Sequence, residues 1–298
     1  MTVEVDGRGE ESAVFASPAD VGRRLAEVDY LADEEIATTV FLAQALGKPL
    51  LVEGPAGVGK TELAKAVAAA TGSELIRLQC YEGLDEARAL YEFNYKKQLL
   101  AIQATQDDRG WQQTHDDIFS EEFLLERPLL AAIRRTGPTV LLIDEADKAD
   151  VEVEGMLLEV LSDFQVTIPE LGTVAAVRRP FVLITSNAAR ELSEALKRRC
   201  LYLHLDYPEP EREREIVLAQ VPGIEAALAE QLVRTVGTLR ELEVKKAPSI
   251  AETVDWARTL LALGLDELDE AAVARTLGVV LKHVSDQERA VKELGLQG

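Results

Sequence analysis

Cysteine and histidine are scarce in this sequence. Its 298 residues include two cysteines, Cys80 and Cys200, and three histidines, His115, His204 and His283. Two cysteines so far apart argue for a reducing compartment and against a disulfide framework. The scattered histidines form no recognisable ligand set for a transition metal. The chemistry of this chain must therefore be sought in other residue types.

Positive charge is also in short supply. The chain has 32 Lys and Arg residues against 53 Asp and Glu, a net charge of −21. Proteins that bind nucleic acid are usually basic, because much of their affinity comes from neutralising phosphates. No apolar run approaches the length of a membrane span, and the acidic, polar start at residues 1–6 does not resemble a signal peptide. We therefore expect a cytoplasmic protein that neither binds nucleic acid nor spans a membrane.

One glycine-rich stretch, residues 54–61, fits the phosphate-binding pattern G-x-x-x-x-G-K-[ST]. An apolar run at 49–53 predicts a strand before it, and the periodicity of 61–70 predicts a helix after it. Glycines let backbone N–H groups turn towards phosphate oxygens, and the helix N-terminus adds partial positive charge. Lys60 would reach the β- and γ-phosphates, and the Thr61 hydroxyl would ligate Mg²⁺. The expected nucleotide-binding residues are Gly54, Pro55, Ala56, Gly57, Val58, Gly59, Lys60, Thr61 and Glu62.

Two acids follow a uniformly apolar strand predicted at 139–143. In α/β sheets, the carboxyl ends of buried strands are where ligands bind. There Asp144 would hold Mg²⁺, usually through water, and Glu145 would polarise the attacking water. The alternative is a solvated loop. Asn187 ends a further predicted strand, where it could orient the water or contact the γ-phosphate, or serve only as a turn residue.

The order of predicted elements indicates an α/β fold with a five-stranded parallel sheet. Its strands are expected at 49–53, 75–78, 139–143, 181–185 and 201–205, with a hairpin at 164–168 and 173–177. Residues 86–135 are predicted to be mostly helical, with a polar interruption near 107–110 that could be a loop, and 191–199 is predicted as one helix. The prolines at 208 and 210 mark a boundary, beyond which only helices are predicted. This divides the chain into an acidic flexible leader (1–17), an α/β domain (18–207) and a small helical domain (208–298).

The ordered set of motifs resembles the AAA+ ATPases, a class of P-loop NTPases, and within them the MoxR family. The set comprises the glycine-rich loop, the stretch 141–147, the stretch 183–187 and Lys197-Arg198-Arg199-Cys200, followed by helices in the position of the family's lid. Together they cover nearly the whole chain, and their spacing is more specific than any one motif. Residues 78–85 and 91–95 also resemble the CoxD branch, which is often encoded beside molybdenum-containing carbon monoxide dehydrogenases.

This resemblance implies a ring, commonly a hexamer, with ATP between subunits. Asn187 takes the sensor-1 position, and Arg199 best matches the arginine finger donated to a neighbour's ATP, with Arg198 as the alternative. Tyr30 and Leu31 would line the adenine pocket. MoxR proteins typically work with partners that carry a von Willebrand factor A domain, in the maturation of enzymes and complexes.

The chain departs from the family pattern in the lid. The family usually supplies a sensor-2 arginine there, and Ile250 aligns with that arginine in this sequence. Lys246 and Arg258 are the candidates to replace it. The missing arginine puts the coupling of lid movement to hydrolysis in question.

Four functions remain in competition. The first is a Mg²⁺-dependent ATPase with a chaperone-like role, which remodels or matures a client metalloenzyme such as a molybdenum hydroxylase. The second is a chelatase-type motor that inserts metal into a tetrapyrrole. A DNA branch-migration motor is the third, and the negative charge argues against it. The fourth is a scaffold that binds ATP without useful turnover, and only the missing sensor-2 arginine supports it.

Overall fold

The computed structural model describes residues 15–104 and 118–295. A five-stranded sheet is formed by β1 (Leu50–Glu53), β2 (Glu74–Gln79), β5 (Thr139–Asp144), β8 (Phe181–Ser186) and β9 (Leu201–His204). The strands lie in the order β2-β5-β8-β1-β9, and every neighbouring pair is parallel. The predicted α/β fold with a five-stranded parallel sheet is therefore confirmed.

Both faces of this sheet are covered, which explains why its central strands are apolar without alternation. All six residues of β5 are buried, and so are the first three of β1. One apolar core includes Leu141 and Ile143, and the other includes Leu50 and Leu142. Alternate residues of one strand thus pack on opposite faces, and the polar residues that end each strand are left at one edge of the sheet.

Within residues 15–104 and 118–207, the α-helices are α1 (Pro18–Ala26), α2 (Glu34–Leu46), α3 (Lys60–Thr71), α4 (Glu86–Ala89), α5 (Tyr95–Ala104), α6 (Pro128–Arg134), α7 (Val151–Asp163) and α8 (Glu194–Lys197). Ser17 caps α1 by accepting from the Asp20 N–H, and Asp33 caps α2 in the same way. Gly47 ends α2 in the left-handed conformation that favours glycine.

Two predictions of helix need correction. Residues 86–135 also contain β3 (Tyr91–Phe93) and β4 (Leu124–Glu126), which pair antiparallel. The ribbon buries Phe93, whose ring meets Phe119 edge-on at 5.2 Å, and this long-range packing overrides the local helical pattern. The helix predicted at 191–199 is reduced to the short α8. The predicted hairpin is present as β6 (Gln165–Ile168) and β7 (Gly172–Ala175), and a predicted loop near 107–110 lies outside the described residues.

The predicted flexible leader falls mostly outside the described residues, since the structure begins at residue 15. Phe15 is fully buried in the core that contains α1 and α2. The Arg24 guanidinium lies 5.0 Å from the centroid of its ring. The flexible leader at 1–17 stays a prediction, and Phe15 near its end packs in this core.

The helices after residue 208 are α9 (Pro210–Gln220), α10 (Ala226–Glu241), α11 (Ile250–Ala262), α12 (Glu270–Thr276) and α13 (Val284–Glu293). They share a core around the fully buried Trp256. The buried carboxylate of Glu213 accepts from both terminal nitrogens of Arg240, at 2.6 and 2.8 Å, and from Thr253 at 2.7 Å. This network joins α9, α10 and α11. The position of the domain boundary at 207–208 stays a prediction.

None of the helices within residues 15–104 and 118–295 has both the length and the apolar character needed to cross a membrane.

Candidate functional site

A cavity of about 580 Å³ lies where β1, β5 and β8 end, between the sheet and the helices that follow residue 208. Three groups of residues line it. The first is residues 29–31. The second is residues 56–62 at the glycine-rich loop, together with the strand-end residues Arg77, Gln79, Asp144, Glu145, Thr185 and Asn187, and the third, from α9 and α11, is Ile216, Gln220, Ile250, Ala251, Val254, Asp255 and Arg258. The volume falls within the range of small-molecule sites.

The glycine-rich loop requires glycine at positions 54, 57 and 59, for reasons of backbone conformation or of space. Gly57 and Gly59 have φ of 79° and 98°, in the left-handed region. A Cβ on Gly57 would come within 2.2 Å of the Ser249 Cβ, and one on Gly54 within 1.8 Å of the Leu205 carbonyl oxygen. Ser249, the residue that caps α11, therefore lies directly against the loop at Gly57. At α3, the N-cap Gly59 supplies no side-chain hydrogen bond, so the first N–H groups of that helix are left for another acceptor.

Lys60 is buried at the start of α3 and points back under the loop. Its Nζ donates to the carbonyl oxygens of Gly54 and Pro55, both at 2.6 Å, and to Asn187 Oδ1 at 2.9 Å. Burial lowers the pKa of its ammonium group, while nearby Asp147, Asp144 and Glu145 act in the opposite direction. These contacts bring the predicted lysine of the loop and the predicted asparagine of β8 together.

Asp144 lies at the end of β5, with only 3% of its side chain exposed. Thr185 Oγ1 donates to its Oδ1 at 2.6 Å, and Thr61 Oγ1 donates to the same oxygen at 3.1 Å. The hydroxyl and the carboxylate that the sequence predicts as Mg²⁺ ligands are thus in direct contact. Oxygen donors of this kind are those that Mg²⁺ prefers.

Glu145 has an unusual backbone, with φ of 57° and ψ of 48°. Non-glycine residues in this left-handed region are strained and occur often at functional sites. The Glu145 N–H donates to Thr185 Oγ1 at 2.8 Å, which helps to hold this conformation. Its carboxylate accepts from Gln79 Nε2 at 2.7 Å and Lys148 Nζ at 2.8 Å, and Asn187 Nδ2 lies 3.5 Å from Oε1. The carboxylate is therefore aimed into the cavity.

Arg77 and Gln79 are cavity residues that the sequence analysis missed. Both are on β2, and Gln79 lies opposite Asp144 in the register. The Arg77 guanidinium contacts Asp144 Oδ2 at 2.5 Å and also donates to Gln79 Oε1. The sequence did indicate an exposed face here, because polar residues at 77 and 79 alternate with apolar residues at 76 and 78, within and just after the strand predicted at 75–78. Without the partner strand, nothing indicated what they would contact.

The predicted adenine residues Tyr30 and Leu31 also line the cavity. The Tyr30 ring lies against Gly59, where an added Cβ would be 3.9 Å from ring carbon Cε2. Burial raises the pKa of its hydroxyl, and the charges of Asp33 and Glu62 add to this effect. Glu62 lines the cavity too, while its carboxylate accepts from Lys65 at 2.6 Å.

Ile250, the first residue of α11, lines the cavity on the side formed by the C-terminal helices. The residue aligned with the sensor-2 arginine therefore brings no guanidinium into the cavity. Of the two candidate replacements, Arg258 lines the cavity and pairs with Asp255 at 3.2 Å. Arg258 also lines an adjoining cavity with Tyr30, at the end away from Asp144. Lys246 pairs with Glu252 at 3.2 Å and is not one of the cavity residues.

Arg198 and Arg199 lie outside the residues that line the cavity, just after α8. The Arg199 guanidinium donates to Ser162 Oγ at 2.8 Å and to the Ala195 carbonyl at 3.0 Å. The Arg198 side chain is 82% exposed, with Glu194 at 4.0 Å. Gly54 and Pro55 are the other predicted residues outside the lining, and their carbonyls instead accept from Lys60.

Comparison with known proteins gives one family match. The sequence profile of a family described as "AAA domain (dynein-related subfamily)" matches residues 49–200. These residues run from just before β1 to just before β9, and they include the glycine-rich loop, Asp144, Glu145, Asn187 and both arginines.

Individual relatives are distant but extend over most of the chain. The denitrification regulatory protein NirQ of Stutzerimonas stutzeri is 26% identical over 215 residues, which are 70% of this chain and 69% of NirQ. The protein NorQ of Paracoccus denitrificans is 26% identical over 259 residues, which are 83% of this chain and 87% of NorQ. Among solved structures, the RuvB Holliday junction branch migration motor of Thermotoga maritima matches with a TM-score of 0.45 at 18% identity, covering 94% of this chain and 82% of RuvB.

Proposed function

The chain belongs to the AAA family of ATPases, in its dynein-related subfamily, and from this premise we propose that it uses Mg²⁺-dependent ATP hydrolysis to remodel or mature a client metalloenzyme. The observation that carries the proposal is the convergence of Lys60, Thr61, Asp144, Glu145 and Asn187 on one cavity. Family membership makes the chain an ATP hydrolase. The roles of its residues, the metal and the client are the proposal.

The glycine-rich loop is suited to the phosphates of ATP. The N–H groups at the start of α3 have no side-chain cap, and the positive end of the helix faces the cavity. When ATP binds, Lys60 would give up a hydrogen bond to a loop carbonyl or to Asn187 and donate to the β- and γ-phosphate oxygens instead. The carbonyl contacts at 2.6 Å support this role, because they hold the ammonium beside the loop. Tyr30 and Leu31, which line the same cavity, would contact the adenine ring.

The donor set at Asp144 fits Mg²⁺. One hydroxyl and one buried carboxylate, from Thr61 and Asp144, are 3.1 Å apart. The part of the chain that the structure describes holds no cluster of three or more acidic, His or Cys side chains for a metal. A site with one or two protein ligands is typical of Mg²⁺ that also binds phosphates. When bound, Mg²⁺ would offset the negative charge that develops on the transferring phosphoryl group.

Glu145 is the proposed general base for the attacking water. Gln79 and Lys148 donate to one carboxylate oxygen, and Asn187 lies near the other. These donors orient the carboxylate. Asn187 also accepts from Lys60, so it stands between the residue that holds the phosphates and the one that activates water.

We propose that the active unit is a ring of identical subunits, of which the hexamer is the commonest form in the family. Arg199, with Arg198 as the alternative, would then contact the ATP of a neighbouring subunit. Both side chains are exposed and neither lines the chain's own cavity, which supports a role between subunits. Proposed partners are a protein with a von Willebrand factor A domain and the client metalloenzyme.

The nature of the client is the least constrained part of the proposal. The relative NirQ is named a denitrification regulatory protein, which supports a role in controlling another enzyme system. A molybdenum hydroxylase such as carbon monoxide dehydrogenase remains the proposed client class, from the CoxD resemblance.

Replacing Lys60 with Ala tests the nucleotide site. We expect K60A to weaken the binding of a fluorescent, non-hydrolysable ATP analogue roughly 10- to 100-fold, since charge-assisted hydrogen bonds to phosphate are lost. ATP hydrolysis should disappear with it. The matched control is Lys282→Ala, because Lys282 also donates to two backbone carbonyls, those of Gly278 and Val279, but is exposed and is not one of the residues that line the cavity. Equal affinity of K60A and the wild type would remove the cavity from the proposed function.

A further inference from the structure

Arg77 places a full positive charge beside the carboxylate that would hold Mg²⁺. Its Nη2 lies 2.5 Å from Asp144 Oδ2, and the side chain is 50% exposed. The residue lies on β2 at the edge of the sheet and lines the nucleotide cavity. None of the roles described above uses this guanidinium.

The geometry of Asp144 does not depend on Arg77. Thr185 Oγ1 donates to Oδ1 at 2.6 Å, and Thr61 Oγ1 lies 3.1 Å from the same oxygen. Asp144 itself ends the buried strand β5, so its backbone is fixed by the sheet. Arg77 contacts the other oxygen, Oδ2, and adds mainly charge. A guanidinium there opposes the approach of a second cation to the same oxygen.

Gln79 offers the guanidinium a second acceptor. Arg77 also donates to Gln79 Oε1, while Gln79 Nε2 donates to Glu145 at 2.7 Å. Because the side chain is half-exposed, it can leave Asp144 and keep its contact with Gln79. The same guanidinium thus fixes which way the Gln79 amide faces, and so links the carboxylates of Asp144 and Glu145.

We propose that Arg77 competes with Mg²⁺ for Asp144 and thereby sets the metal affinity of the nucleotide site. Arg77 is on this account a positioning residue, which acts through Asp144 rather than on ATP. The inference rests on the proposed function, because it needs Asp144 to be the metal-binding carboxylate. It adds a determinant of how much free Mg²⁺ the enzyme requires.

The test is a binding measurement that does not depend on turnover. Binding of fluorescent AMP-PNP to the full-length protein is titrated with Mg²⁺, from EDTA upwards, and the half-saturating free Mg²⁺ concentration is recorded. Arg77→Gln removes the charge at similar length, and Arg77→Ala removes the side chain. Arg127→Ala is the matched control, since Arg127 is a partly exposed arginine paired with Glu92 at 2.8 Å, away from the cavity.

We expect R77Q and R77A to lower the half-saturating Mg²⁺ concentration about two- to fivefold, and R127A to leave it unchanged. Thermal unfolding of each variant checks that the fold is retained. Because the Gln and Ala side chains differ in size, an equal Mg²⁺ requirement of R77Q and R77A would assign the effect to the lost charge rather than to lost packing. An unchanged or higher Mg²⁺ requirement in both Arg77 variants would overturn the inference while leaving the nucleotide site intact. A wild-type protein that binds AMP-PNP neither with nor without Mg²⁺ would instead overturn the proposed function, and the inference with it.

Discussion

Replacement of Glu145 by Gln is expected to slow ATP hydrolysis by about a thousandfold or more while ATP still binds, since a general base contributes on this scale. Gln keeps the size of the side chain and its contact with Gln79, but it cannot take a proton from water. Steady-state phosphate release and binding of a fluorescent ATP analogue measure the two effects separately.

Glu152→Gln is the matched control for this variant. Glu152 is an exposed acid near the start of α7, only seven positions along the chain, and does not line the cavity. The account expects E152Q to hydrolyse ATP at the wild-type rate. Wild-type turnover by E145Q would remove Glu145 from its proposed role. Loss of ATP binding by E145Q would mean that the residue supports the site rather than the chemical step.

Removal of the arginine finger is the second large effect. Arg199→Ala is expected to cut hydrolysis on the order of a thousandfold without changing ATP affinity, because such an arginine stabilises charge only as the phosphoryl group is transferred. Arg198→Ala provides the comparison, since the two residues are adjacent and both follow α8. If R198A loses activity and R199A does not, the assignment is off by one residue.

A mixing experiment separates a role between subunits from a role within one. R199A subunits keep their own Glu145, and E145Q subunits keep Arg199. In a mixed ring, an E145Q neighbour can supply Arg199 to the site of an R199A subunit, so part of the lost activity should return. Two inactive variants that stay inactive when mixed, although they co-assemble, would contradict the transfer of Arg199 between subunits.

The sequence predicts the parts of the site that are local in the chain. The glycine-rich loop, the strand before it and α3 are contiguous in the chain, so the local sequence pattern is enough to predict their structure. The AAA+ ATPase recognised from these motifs is confirmed by the family match, while the finer assignment to the MoxR type rests on the motifs. The CoxD-like branch stays a prediction, as do the ring and its partners.

Features that depend on distant contacts could not be predicted. Arg77 meets Asp144 only because β2 and β5 pair in a particular register, which no local pattern reveals. The left-handed backbone of Glu145 depends on the Thr185 hydroxyl, forty residues away in the chain. The β3–β4 ribbon was read as helix for the same reason, since burial of Phe93 against Phe119 outweighs local propensity.

The most direct test of the account is the specific ATPase activity of the wild-type protein against its own concentration, with Mg²⁺ and with EDTA. The proposed site takes Asp144 and Glu145 from one subunit and an arginine from the next. We therefore predict Mg²⁺-dependent activity that rises with protein concentration as subunits assemble, and none in EDTA. A specific activity that stays constant at concentrations where the protein is monomeric, or hydrolysis that persists in EDTA, would contradict it.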